Sequence, residues 1–215
     1  MELIYGTANE AKLATMCKCA TDCALEIIGL DTIPAIRDVQ IEEGGADPLE
    51  NAIIKAKAFY QALGRPVFSC DSGLFCENLP AELQPGVHVR RVNEKTMTDA
   101  EMVAYYSGLA KEYGMLKARY QNAICLIMDD EHLYASMDAS FSSKNFGIVD
   151  TPHPNYAKGF PLDCLSVRLS DGTYYLDDEH SAPEDESETK DIAFGEVEKR
   201  AIIYLEKCIA EYQAL

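Results

Sequence analysis

The sequence has no apolar run approaching the ~18 residues that a membrane-spanning helix needs. Its start, Met1-Glu2-Leu3-Ile4-Tyr5-Gly6, has neither the basic region nor the long apolar stretch of a secretory signal. A soluble, cytoplasmic protein is the expectation. Basic residues are scarce: 19 Lys and Arg stand against 36 Asp and Glu, for a formal net charge of −17. A surface this acidic repels nucleic-acid polymers, while most of the charge simply keeps the protein in solution. A single nucleotide in a locally basic pocket around a metal ion is compatible with it. There is no Walker loop, no G-x-S-x-G frame around Ser72 and no internal repeat. Cys17, Cys19 and Cys23 have no second ligand cluster to complete a metal site, and Cys17 and Cys19 fall on different sides of a helix. Eight cysteines in this setting read as reduced thiols, not as a disulfide scaffold.

What is present is an ordinary globular composition, 47% hydrophobic and 26% charged over 215 residues. That suffices for one α/β domain, taken here as residues 1–215, with or without a smaller lobe. Leu3-Ile4-Tyr5 reads as a short buried strand, followed by the turn Gly6-Thr7-Ala8-Asn9 and a helix from Glu10 to about Cys23. Leu25–Leu30 is a second strand. Asp47-Pro48-Leu49-Glu50 marks a helix start, with Asp47 as cap, Pro48 at the first helical position and Glu50 placed for a capping box. Leu49, Ile53, Ala56, Tyr60 and Leu63 give that helix one apolar face, and Asn51 and Lys55 lie on roughly the opposite side, free to look into a cleft. Pro66–Cys70 is a strand ending at Asp71. Thr98 and Glu101 cap a helix running to about Tyr113, and Ala123–Met128 with His132–Phe141 form a hairpin around Asp129-Asp130-Glu131. A final helix spans about Glu196–Tyr212, with Val197, Ala201, Leu205, Cys208 and Tyr212 on one face. Asp177–Asp191, with eight carboxylates and one Lys, is read as a solvated loop. His88, His132, His153 and His180 are scattered over loops and strand ends; His88, after the Pro-Gly-Val turn, either lines the cleft or, as is expected, is exposed to solvent.

Two features could carry chemistry. The turn from Gly6 to Lys12 joins a strand to a helix start, so it is either an ordinary capped helix or an anion site built from backbone N–H groups, the helix dipole and Lys12. Glu42, Glu43, Glu50 and Asp71 are hard oxygen donors of the kind Mg²⁺ prefers, and loop and strand-end carboxylates can converge in an α/β crevice. Glu42, Glu43 and Glu50 read equally well as surface charges and a cap. Asp71 is harder to dismiss, because it closes an apolar strand and precedes Ser72-Gly73.

Together these pieces form a pattern. Thr7-Ala8-Asn9-Glu10-Ala11-Lys12, Glu43-Gly44-Gly45, Glu50-Asn51-Ala52-Ile53-Ile54-Lys55-Ala56, Asp71-Ser72-Gly73-Leu74 and Pro85-Gly86-Val87 follow in order. The chain resembles the inosine triphosphate pyrophosphatase family, which clears non-standard purine nucleoside triphosphates from the nucleotide pool. The resemblance implies an elongated mixed twisted sheet with flanking helices and two lobes around a central cleft. It implies Mg²⁺-dependent hydrolysis of a nucleoside triphosphate to the monophosphate and pyrophosphate, and a homodimer. Thr7, Asn9, Lys12 and Lys55 would hold the triphosphate. Glu43 and Asp71 would bind Mg²⁺ (or Mn²⁺), Asp71 would accept the proton of the attacking water, and Ser72 would touch substrate. Arg90 or Arg91 would add a phosphate contact, and Phe160 and Asp163 would contact the base.

The resemblance thins beyond residue 140. The family's G-F-G-Y-D-P stands here as Gly159-Phe160-Pro161-Leu162-Asp163-Cys164, and the carboxylate expected before Asp71 is Cys70. A later K-N-x-x-S-H-R element has no counterpart beyond Lys190, since Phe194-Gly195-Glu196 replaces its end. Two alternatives stay open: a related pyrophosphatase with another nucleotide substrate, and a nucleotide-binding protein without turnover. Because the eroded half is the one that reads the base, the first is favoured.

Overall fold

The structure, a computed structural model, describes residues 1–33, 36, 39–42, 44–92, 95–155, 159–178 and 196–215. Glu43, His180, Lys190, Phe194 and Gly195 lie outside these, as does the acidic stretch beyond Asp178. The strands are β1 (Glu2–Tyr5), β2 (Glu26–Gly29), β3 (Val67–Cys76), β4 (Arg91–Val92), β5 (Lys95–Thr96), β6 (Leu116–Ile127), β7 (Leu133–Ser136), β8 (Phe146–Ile148) and β9 (Ser166–Val167). The helices are α1 (Glu10–Cys19), α2 (Pro48–Leu63), α3 (Asp99–Tyr113), α4 (Tyr175–Asp178) and α5 (Glu196–Gln213). The fold is α/β, with a mixed sheet in the order β2-β1-β3-β6-β8-β9, β7 pairing with β6, and helices flanking it. Among the described residues no helix is long and apolar enough to cross a membrane.

The chain divides into two compact units, each assembled from separate segments. In the first (Met1–Ser72, Gln121–Ser143, Phe194–Leu215), β1 runs parallel to both β2 and β3, with Tyr5 opposite Gly29 and Phe68. Side chains alternate across a strand, and here the alternation sorts the core into two layers. Leu3, Tyr5, Phe68, Ile124 and Leu126 pack with Met16 of α1 and Ala20 just after it, and with Ala201, Ile202, Leu205 and Ile209 of α5. Ile4, Val67, Ala123, Cys125 and Ile127 pack with Ala52, Ala56 and Phe59 of α2. In the second unit (Gly73–Tyr120, Lys144–Ala193), Leu74, Leu116, Phe146 and Ile148 form a core with Met102, Tyr106 and Leu109 of α3.

Capping set several boundaries where the sequence places them. The Asp47 side chain accepts from Glu50 N–H at 2.9 Å, and Thr98 with Glu101 forms a complete capping box. Glu50 differs in one detail: its carboxylate accepts from Ala46 N–H at 2.8 Å, one residue before the cap. Four expectations need correction. α1 stops at Cys19, because Ala20 N–H returns to the Met16 and Cys17 carbonyls and the Thr21 hydroxyl donates to Lys18 O at 2.8 Å. The second hairpin strand ends at Ser136, and Ala139–Phe141 turns instead as a 3₁₀ helix capped by Asp138. Asp71 does not end its strand. β3 continues through it to Cys76, because Leu74 exchanges both backbone hydrogen bonds with Gly86, at 2.8 and 2.9 Å. The α2 residues sealed deepest are Ala52, Ala56, Phe59 and, with them, Asn51, which therefore does not face an open cleft.

Candidate active site

The site builds from the carboxyl end of β1, where ligands bind in open α/β sheets. Tyr5 is the last residue of β1 and pairs with Phe68, their rings stacked at 4.5 Å. β3 runs on to Cys76, and Asp71, three residues past Phe68, stands beyond the end of its neighbour β1. The turn that opens at Gly6 is tied down tightly. Gly6 N–H donates to Phe68 O at 2.7 Å, and the Ser69 hydroxyl donates to Gly6 O at 3.3 Å. A Cβ on Gly6 would lie 2.3 Å from Ser69 Oγ and 2.6 Å from Phe59 Cδ2, so no larger residue fits without rearrangement. Thr7 Oγ1 accepts from Asn9 N–H at 3.2 Å, and Asn9 Oδ1 caps α1 by accepting from Ala11 and Lys12 N–H. Of the two sequence readings of this turn, the structure shows the capped helix start. The helix is capped by Asn9, and the capped end carries Lys12.

Alternation along β3 separates the next residues. Ser69 and Asp71 continue the side of Val67, which faces α2, and Cys70 and Ser72 continue the side of Phe68, which faces α1 and α5. On the α2 side, Lys55 Nζ meets Asp71 Oδ1 at 2.7 Å, with side-chain exposures of only 14% and 11%. Six residues before Asn51 in sequence, Gly45 donates its N–H to the buried Asn51 Oδ1 at 2.9 Å, fastening the loop that follows Glu43 to α2. On the other side, the Cys70 thiol hydrogen-bonds with Tyr5. Burial pushes this thiol up to about 12, against the opposing pull of Lys12 and Lys55 and with Glu198 adding to the rise. Lys12 and Lys55, from different helices, therefore both bear on the Cys70 thiol.

Cys70 is consequently a neutral thiol near neutral pH, not an anionic oxygen donor. Among the described residues, no group of three His, Cys, Asp or Glu could enclose a metal ion. Mg²⁺ does not require one. It is held by one or two carboxylates, with waters and substrate phosphates completing the octahedron. The nearly buried Asp71 carboxylate, paired with the Lys55 ammonium, which suits phosphate, fits a metal shared between protein and substrate.

The second unit places its predicted residues differently. Arg90 donates to Asp99 in the first turn of α3 at 2.5 Å and to Met97 O at 3.3 Å, whereas Arg91 lies exposed in β4. Of the two, Arg90 is already engaged by a carboxylate. Asp163 begins a 3₁₀ turn, its N–H bonded to Phe160 O at 3.2 Å, and its charge helps to hold the Tyr120 phenol above its usual range, burial being the larger cause. Leu162 and Cys164 are buried in the unit's core. His88 is exposed, as expected. Sequence reasoning set Asn51 facing a cleft rather than buried, and overlooked Ser69 and Tyr5, of which only Ser69 had a local signal, a hydroxyl interrupting an apolar strand.

The fold and sequence have relatives. A dITP/XTP pyrophosphatase of Nitratidesulfovibrio vulgaris is 29% identical over 143 residues, 62% of this chain and 67% of that protein. One from Porphyromonas gingivalis is 34% identical over 130 residues, 60% of this chain and 64% of that protein. The chain thus matches about two thirds of the length of these relatives. Among solved structures, a HAM1 protein from Coxiella burnetii aligns with a TM-score of 0.69 at 24% identity, covering 96% of this chain and 99% of that one. The Staphylococcus aureus Ham1 protein aligns at 0.65 and 20% identity, covering 99% and 100%, a likeness of fold. The family pattern matches residues 3–165, which takes in the Gly6 turn, α2 and Asp71, and this chain belongs to the Ham1 family.

Proposed function

We propose that this chain hydrolyses nucleoside triphosphates to the monophosphate and pyrophosphate, with non-standard purine nucleotides such as inosine or xanthosine triphosphate as default substrates and Mg²⁺ as the ion. The observation that carries the reading is the Asp71–Lys55 pair beside the Gly6–Lys12 turn: a carboxylate and two lysines at the carboxyl end of β1. Its support includes the names of the relatives above. Thr7 and Asn9 are assigned to the phosphates, with Lys12 and Lys55 offsetting the charge that develops on them. Mg²⁺ bound by Glu43 and Asp71 would neutralise phosphoryl charge. Asp71 accepts a proton from the attacking water, and Ser72 contacts substrate. The phosphate contact given to Arg90 or Arg91 is assigned to Arg91, since Arg90 is paired with Asp99.

Phe160 and Asp163 are assigned to the base. The burial of Leu162 and Cys164 leaves this segment few other side chains to offer, which favours a second reading: the same reaction on a different modified nucleotide. A homodimer in the cytoplasm completes the proposal, and light scattering of the purified chain tests the dimer. The reaction is tested by measuring pyrophosphate release from a panel of ordinary and deaminated nucleotides with Mg²⁺. No turnover of any nucleotide would leave a binding protein. Turnover confined to another modified base would select the second reading.

A further inference from the structure

We propose that Lys55 is an exchangeable counter-ion: it sits on Asp71 in the ligand-free protein and passes to the phosphate chain of a bound nucleotide, so that binding of the anion uncovers the carboxylate. The inference rests on the functional reading above. Lys55 Nζ lies 2.7 Å from Asp71 Oδ1, and both side chains are nearly buried. The two partners are held very differently. Asp71 is 8% exposed within the continuous strand β3, and its short side chain leaves the carboxylate little room to move. Lys55 reaches it from the middle of α2 on a flexible four-carbon stem with three rotatable donors. The lysine is therefore the partner that can move.

The energetics favour an exchange. In a nearly dry pair, desolvation offsets much of the mutual attraction, so the ammonium is not committed to one carboxylate. A phosphate chain presents more negative charge than a single carboxylate and is a strong partner for an ammonium. Lys12 draws such an anion to the same place, since it and Lys55 both bear on the Cys70 thiol next to Asp71. While Lys55 stays on Asp71, it repels any second cation from that carboxylate and is withheld from phosphate. The state with Lys55 released is then only a fraction of the ligand-free protein, and the apparent affinity for the anion falls by that fraction.

The test is binding of inorganic tripolyphosphate to the full chain in EDTA, by titration calorimetry, across a double-mutant cycle of Asp71 and Lys55. Asp71→Asn should tighten binding about tenfold, as follows if Lys55 is released in about a tenth of wild-type molecules. In a Lys55→Met background the same change should alter affinity less than about threefold, because no counter-ion is left to release. Lys55→Met alone should bind Mn²⁺ about tenfold more tightly than wild type, its carboxylate being permanently uncovered. Should Lys55→Met alone not fold, the comparison of wild type with Asp71→Asn decides by itself. Unchanged or weaker tripolyphosphate binding in Asp71→Asn overturns the proposal, and so does equal tightening in both backgrounds, which is plain charge repulsion. Mn²⁺ affinity unchanged by Lys55→Met also overturns it. Any of these results beside nucleotide turnover by wild type would leave the functional reading standing. A wild type that binds neither tripolyphosphate nor Mn²⁺ and turns over no nucleotide would remove that reading, and this inference with it.

Discussion

The Lys55–Asp71 pair offers the sharpest test, because it joins stability to turnover. At 2.7 Å and an effective dielectric of ~20, the gross attraction is ~6 kcal/mol. Exposures of 14% and 11% mean that both ions have lost most of their water, so desolvation cancels much of that sum. Removing one charge leaves the other buried and should cost ~2–4 kcal/mol of stability. Asp71→Asn, which keeps an acceptor oxygen, belongs at the lower end. Lys55 has further contacts, so the single Lys55→Met variant mixes several losses. A double-mutant cycle isolates the pair, with an expected coupling of ~2 kcal/mol. Urea melts without nucleotide measure it. Coupling within ~0.3 kcal/mol of zero would refute the ion pair as a stabilising contact. The same Asp71→Asn protein, assayed for pyrophosphate release, should lose about 10²–10³ in kcat, or ~3–4 kcal/mol of transition-state stabilisation. Equal turnover by both forms would refute the role given to Asp71.

Two further outcomes follow from the geometry. Gly6→Ala should destabilise the protein by ~1–3 kcal/mol through the clash with Ser69 and Phe59, and a melting temperature equal to wild type would contradict the close approach. Asp129 supplies a pH dependence. Burial pushes its carboxyl up, but hydrogen bonds from the His132 ring, Glu131 N–H, the Tyr212 hydroxyl and His132 N–H outweigh it and hold the group at about 2, below its ordinary 3.8. The stabilisation is complete above pH 4 and is lost as pH falls toward 2. Asp129→Asn should flatten the dependence of the urea midpoint across that window, and an unchanged acid slope would count against the network.

Much of this arrangement is legible in the residues themselves. The caps Asn9, Asp47 and Thr98 act within three residues of their targets, so the helix starts they mark are local facts. The hairpin around Asp129–Glu131 and the apolar stripe of α5 are equally short-range, set by turn chemistry and helical period. The ordered motifs from Thr7 to Val87 indicate the family, and the sequence alone nominates Asp71, Lys12 and Lys55.

Their arrangement had to come from the fold. Local reading places Asn51 on a polar helix face, yet the meeting of α2 with the Gly45 loop buries it, because a backbone N–H withdrawn from water must find an acceptor. It ends a strand at Asp71, yet Leu74 finds its hydrogen bonds at Gly86, twelve residues on, and the strand continues. Arg90 looks available for phosphate until Asp99 of α3 engages it. The pairing of Lys55 with Asp71 depends on the parallel register of β1 and β3 and on α2 covering one side of the sheet. Caps and periodicity report forces acting within a turn of helix or strand. The site is made of contacts between segments far apart in the chain, and only packing the sheet between its helices brings their charges close enough to act together.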